Sequence, residues 1–178
     1  MEVAPRRVAP HGKRAELVDF RAVVRPSLLR LLAVLAVLAV AAPLSACGGS
    51  GAKGPSKSAY RQQAQAISDK FNNDVQAALP NATSTDARTS LTGVAQLKSA
   101  SADTASKLGA LDTPPDFKAA QDGLVAALRK VVDDATAFQS AVAGNDAAAA
   151  QASARTLQQG LRDLQAAGSA FDSKVGTH

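Results

Sequence analysis

The chain has 178 residues, a formal charge of +5, 3% aromatic residues, no Trp and one Cys. A single cysteine excludes an internal disulfide framework and any multi-cysteine metal site. The basic balance raises a nucleic-acid partner, which depends on where the charge sits.

The charge sits at the front. Residues 1–46 carry Arg6, Arg7, Lys13, Arg14, Arg21, Arg25 and Arg30 against Glu2, Glu16 and Asp19, whereas residues 47–178 balance 13 basic against 12 acidic groups. Such end-loaded basicity marks a targeting segment rather than a basic binding face, and no basic stripe for nucleic acid follows it. Arg21, Arg25 and Arg30 lead into a 12-residue apolar run, residues 31–42. That length suits the apolar core of a signal peptide and falls short of the roughly 20 residues that span a bilayer. Pro43 and then Leu44-Ser45-Ala46-Cys47 close the segment.

These residues resemble a bacterial lipoprotein precursor, whose lipobox Leu44-Ser45-Ala46-Cys47 matches at all four positions. The resemblance implies that Leu44, Ser45 and Ala46 are read by the lipoprotein signal peptidase. It implies diacylglycerol on the Cys47 thiol, cleavage between Ala46 and Cys47, and an added N-acyl chain such as palmitate. The expected address is the extracytoplasmic face of the cell membrane, lipid-anchored, with no cofactor beyond the covalent lipid. Met1 is the only methionine, and a valine-coded start at Val23 or Val24 would make residues 1–22 an upstream extension of the gene model.

Residues 47–58 follow as the lipidated cysteine and a Gly/Ser-rich tether. Such a segment builds no core and reaches at most about 35–40 Å. Lys53 and Lys57 are read as solvated tether charges with an alternative contact to anionic headgroups.

Residues 59–178 are predicted to be all-α, an alanine-rich, up-down antiparallel four-helix bundle placed after the signal helix and flexible linker. The first helix is expected over 58–79, with Tyr60, Ala64, Ile67, Phe71, Val75 and Ala78 on one stripe and Pro80-Asn81 as its stop. The second is expected over 86–111, capped by Ser84 or Thr85, its stripe weakened by Lys98, Ser99 and Ser101. The third starts at Thr113 as N-cap with Pro114 in the first turn and Asp116 near the positive end of the helix dipole. Phe117, Leu124, Leu128, Val131, Ala135, Phe138 and Val142 carry it to Gly144 as C-cap. The fourth begins near Asn145 or Asp146 and runs on Ala150, Ala154, Leu157, Leu161, Leu164, Gly168, Phe171 and Val175.

Leu, Ile, Val and Phe are 22 of the 132 residues from Cys47 onward, so the core is thin and depends on close helix approach through alanine. Gly168 falls on the seam and opens a notch that either a facing ring, Phe138 or Phe71, or a ligand beside Phe138 and Phe171 would fill.

From Cys47 onward there is no Glu, and His178 is the only histidine. A di-iron carboxylate bundle, a His-ligated zinc or haem, and a Ser-His-Asp triad all lack their residues. Asp133-Asp134 stands four residues after Arg129-Lys130, and Asp103 four before Lys107, which reads as helix-surface ion pairing rather than a metal site. Asn81-Ala82-Thr83 matches a glycosylation acceptor by letter and reads as a turn before a helix cap.

The heavy alanine use and the Leu108-x-x-Leu111-x-x-Pro114-Pro115 entry to the third helix are similar to small helical lipoproteins of high-GC Gram-positive bacteria. The leading expectation is a non-catalytic protein-interaction module of the cell envelope, membrane-bound through its lipid, with an envelope protein as partner and self-association along the seams as a further role. The alternative is a carrier or sensor binding a small apolar ligand between the helices. An enzyme would have to rely on Asp, Lys, Ser or Tyr60 alone.

Overall fold

The computed structural model describes residues 56–176. The signal segment 1–46 with Leu44, Ser45 and Ala46, the anchor Cys47, the tether up to residue 55, and His178 lie outside the described residues. Within the described chain all regular structure is helical: α1 Lys57–Ala82, α2 Ala87–Gly109, α3 Pro115–Ala143 and α4 Ala147–Val175. At 1.5 Å per residue these are rods of about 35–44 Å.

Local chemistry sets most of the ends. Ser56 caps α1 by accepting from Ala59 N at 3.1 Å. Asp86 caps α2, its Oδ1 accepting from both Thr89 N (2.9 Å) and Thr89 Oγ1 (2.8 Å), so the cap is neither Ser84 nor Thr85. A carboxylate at this position also meets the positive end of the helix dipole. Asp146 caps α4 through Ala149 N at 2.9 Å. Gly144 ends α3 as expected, yet the left-handed residue of that turn is Asn145, with φ 53°.

Two ends differ from expectation. Pro114, not Thr113, occupies the cap of α3, and Pro115 takes the first helical position. Pro115 removes the N2 donor of a Thr113 cap, and the Thr113 hydroxyl turns inward to Leu111 O (2.9 Å) and Gln121 instead. Pro80 does not stop α1; the helix carries it in its last turn and continues to Ala82. The contact that holds this turn is tertiary. Gly93 of α2 lies so close to Ala82 that a Cβ there would overlap the Ala82 backbone, and Ser90 Oγ donates to Ala82 O at 3.3 Å. Thr83 also returns to Leu79 O through its N (3.1 Å) and its Oγ1 (2.9 Å).

Long-range contacts give the helix directions. Lys70 reaches Asp103 at 3.9 Å, Lys98 reaches Gln139 at 3.3 Å, and Gly160 packs on Asp134. Arg61 near the start of α1 donates to Val175 O at the end of α4, at 2.7 Å. Consecutive helices therefore run in opposite directions. The pairs α1·α2, α2·α3 and α3·α4 pack extensively, whereas α1 and α4 scarcely approach each other.

The core follows the predicted stripes closely. Tyr60, Phe71, Leu97, Leu108, Phe117, Leu128, Val131, Phe138, Leu157, Leu161, Leu164 and Phe171 are all buried in one cluster. The middle of α2, weak on paper, is filled by Ala100, Ser101 and Thr104, all buried. Ser101 Oγ is buried with no hydrogen-bond partner.

At the end where α1 begins, a polar knot ties three helices. Tyr60 Oη donates to Gln121 Oε1 at 2.7 Å, and Gln121 Nε2 donates to Leu108 O at 2.6 Å. The Tyr60 and Phe117 rings lie 5.5 Å apart, with the Arg61 guanidinium 5.4 Å and the Lys57 ammonium 5.8 Å from the Phe117 ring. Burial of the phenol pushes the Tyr60 pKa up to about 12. Lys57 pairs with Asp116 across the same end.

Candidate functional site

Three helix pairs close and the fourth does not, so the molecule has a seam between α1 and α4. A cavity of about 540 Å³ opens there. Its floor is mainly apolar and buried: Phe71 from α1, Leu108 from α2, Leu124 and Leu128 from α3, Leu164 and Phe171 from α4, with the hydroxyl-bearing Thr104 of α2 among them. Its rim is polar, with Gln65, Ser68, Asp69, Asn72 and Asn73 on the α1 wall and Asp172 on the α4 wall. The volume lies within the roughly 300–1,000 Å³ of small-molecule sites, and an apolar floor with a few polar groups is their usual lining.

Each wall follows from helical spacing. Phe71 belongs to the buried stripe of α1, and Gln65, Ser68, Asp69 and Asn72 stand on the adjoining rows three and four apart. On α4, Leu164, Gly168 and Phe171 share the buried stripe, and Asp172 stands beside it. Gly168 supplies no side chain, so the α4 wall is recessed between Leu164 and Phe171.

The sequence-predicted notch residues divide. Gly168 and Phe171 both line the cleft. Phe138 is outside its walls, buried at 3% exposure in the core of α3. Phe71 also lines it, but as part of one wall of a cavity and not as a plug. The leucine floor was legible as core, and the polar rim was missed. The signal for it is a row of short polar residues on α1 next to an aromatic.

The electrostatics of the rim are one-signed. Asp69 Oδ1 accepts from the neutral Gln65 Nε2 at 2.8 Å. Asp172 has its pKa raised, and the cause is burial. No Lys or Arg is among the described residues that line the cavity. Lys70, next in sequence to Asp69, points to Asp74 at 2.5 Å and Asp103 at 3.9 Å.

A second hollow, about 480 Å³, lies between α1 and α2 and is lined by Lys70, Asp74, Gln96, Ser99 and Asp103 with three alanines. Its charged groups are already paired with one another or with Lys107, and it has no large apolar side chain to hold a ligand. Asp134 pairs with Lys130 at 2.8 Å, and among the described residues no group of three or more His, Cys, Asp or Glu is placed to hold a metal ion. No described helix is long and apolar enough to cross a membrane. No protein-family model matches the chain, and neither a curated protein nor a solved structure is similar to it, so the cleft has to be read from its own geometry.

Proposed function

We propose that the protein is an extracytoplasmic lipoprotein whose body carries or senses a small apolar ligand in the cleft between α1 and α4. The reading has three parts. Residues 1–46 are a lipoprotein signal peptide, residues 47–55 are a lipidated Cys47 with its tether, and the body from Ser56 onward forms an up-down antiparallel four-helix bundle without a catalytic step. The observation that carries it is the open seam itself: a cavity of about 540 Å³ with a floor of leucine and phenylalanine. The interaction-module reading has no comparable feature behind it, because the polar faces of the helices carry ordinary i,i+4 ion pairs such as Lys118–Asp122 and Lys107–Asp103.

The test is native mass spectrometry of the protein purified from its own membrane, with the amino terminus analysed in parallel. The expected result is a Cys47 amino terminus carrying diacylglycerol, plus one non-covalent small apolar molecule per chain. Cys47→Ala should release the protein from the membrane without removing that molecule. An empty cleft together with a stoichiometric protein partner would return the assignment to the interaction module. An unprocessed, unlipidated amino terminus would overturn the lipoprotein reading.

A further inference from the structure

The cleft has walls of opposite origin but a rim of one charge. Asp69 stands on the α1 wall and Asp172 on the α4 wall, and no Lys or Arg is among the described residues that line it. Two cations of α1 are committed elsewhere. Arg61 donates to Val175 O and stacks on Phe117, and Lys70 turns to Asp74 and Asp103. Asp69 is met by an amide donor, which leaves its charge uncompensated. Asp172 belongs to no ion pair among the described residues, and partial burial is the cause that lifts its pKa. Both carboxylates are exposed at the rim, and burial acts on Asp172 alone, so a cation placed beside them is attracted through partly screening solvent.

From these observations we infer the class of ligand: a small amphiphile whose apolar chain lies on the leucine and phenylalanine floor and whose cationic head, an amine or quaternary ammonium, sits between Asp69 and Asp172. This rests on the carrier reading above. The chain accounts for the floor, and the head accounts for the two carboxylates. An anionic head of the fatty-acid type would meet like charge on both walls with no lining cation to receive it.

The experiment uses the full chain in a bilayer of neutral phospholipid and three photo-crosslinking probes. The probes share one diazirine-bearing alkyl chain and differ in the head: trimethylammonium, glycol or carboxylate. Labelling is read by mass spectrometry on the tryptic peptide of residues 163–174, which carries Leu164, Gly168, Phe171 and Asp172. The expected result is saturable labelling by the ammonium probe at about tenfold the level of the carboxylate probe, the scale of one close charge pair in a partly desolvated site. Raising the salt concentration should compress that ratio without any change to the protein, because the rim is partly exposed. The double variant Asp69→Asn, Asp172→Asn should bring the ratio close to one. Saturable labelling with no preference among heads would overturn the cationic assignment and leave the carrier reading standing. A preference that survives both the variant and added salt would also overturn it, since the charge would then come from elsewhere. Absence of saturable labelling by all three probes would overturn the carrier reading itself.

Discussion

Gly93 and Gly123 sit inside helices and read identically in the sequence, yet the structure assigns opposite signs to the same substitution. Gly→Ala in a helix interior gains up to about 1 kcal/mol from propensity alone. It also restricts the unfolded chain, by a similar amount at both positions. At Gly123, exposed on α3, an added Cβ meets nothing within 4 Å, so Gly123→Ala should keep that gain. At Gly93 the new Cβ would overlap the backbone of Ala82 and lie 2.6 Å from Asn81 C. Backbone has no rotamer with which to step aside, so the end of α1 must shift or its last turn unwind. Overpacking of this kind costs about 1–3 kcal/mol, and the proline already in that turn limits the cost by making unwinding easier. Net of the propensity gain of about 1 kcal/mol, Gly93→Ala should lose up to about 2 kcal/mol. For a body of about 120 residues that is a fall in Tm of up to about 12 °C, against a rise of about 3–6 °C for Gly123→Ala. Thermal and urea unfolding followed by far-ultraviolet circular dichroism measure both. A Gly93→Ala variant stabilised as much as Gly123→Ala would refute the close approach of α1 and α2 at this point.

Three further outcomes are expected. Tyr60 is the only tyrosine and Trp is absent, so the phenolate absorbance titrates this one group. Its midpoint should lie near 12 in the folded protein and near 10 in urea. Because the folded pKa is the higher one, the stability tied to it is whole below pH 10 and is lost as pH rises from 10 to 12, and Tyr60→Phe should flatten that fall in the urea midpoint. Ser101→Ala removes a buried hydroxyl that has no partner and installs a better helix former, so the urea midpoint should rise by the equivalent of about 1 kcal/mol; a fall would mean the hydroxyl is satisfied. Gly168→Leu should fill the recess in the α4 wall and reduce probe labelling of the cleft about tenfold or more, while circular dichroism shows the helices retained; undiminished labelling would place the ligand elsewhere.

The helices themselves were written in the sequence. The 3–4 spacing from Tyr60 to Ala78 and from Ala150 to Val175 specified which faces are buried, because a helix places those positions on one side wherever its neighbours stand. Caps supplied by a side chain onto its own next turn, as at Asp146, were readable for the same reason. Interactions across the fold were not. Pro80 reads as a stop on local grounds, and the docking of Ala82 against Gly93 joins the Thr83 bonds to Leu79 O in holding the turn beyond it. Thr113 reads as a cap, and only Gln121 on the next helix shows where its hydroxyl goes. Phe138 and Phe171 looked equivalent around Gly168, and tertiary placement put the first in the core and the second on the cleft wall.

By itself, then, the sequence determined helix number, their buried faces and the skew of charge toward residues 1–46, since each depends on residue type and spacing along one segment. Tertiary structure decided that α1 and α4 meet only sparsely, as where Arg61 reaches Val175 O. Whether a four-helix ring closes depends on the distances among all four rods at once, and no spacing within a single helix records that distance.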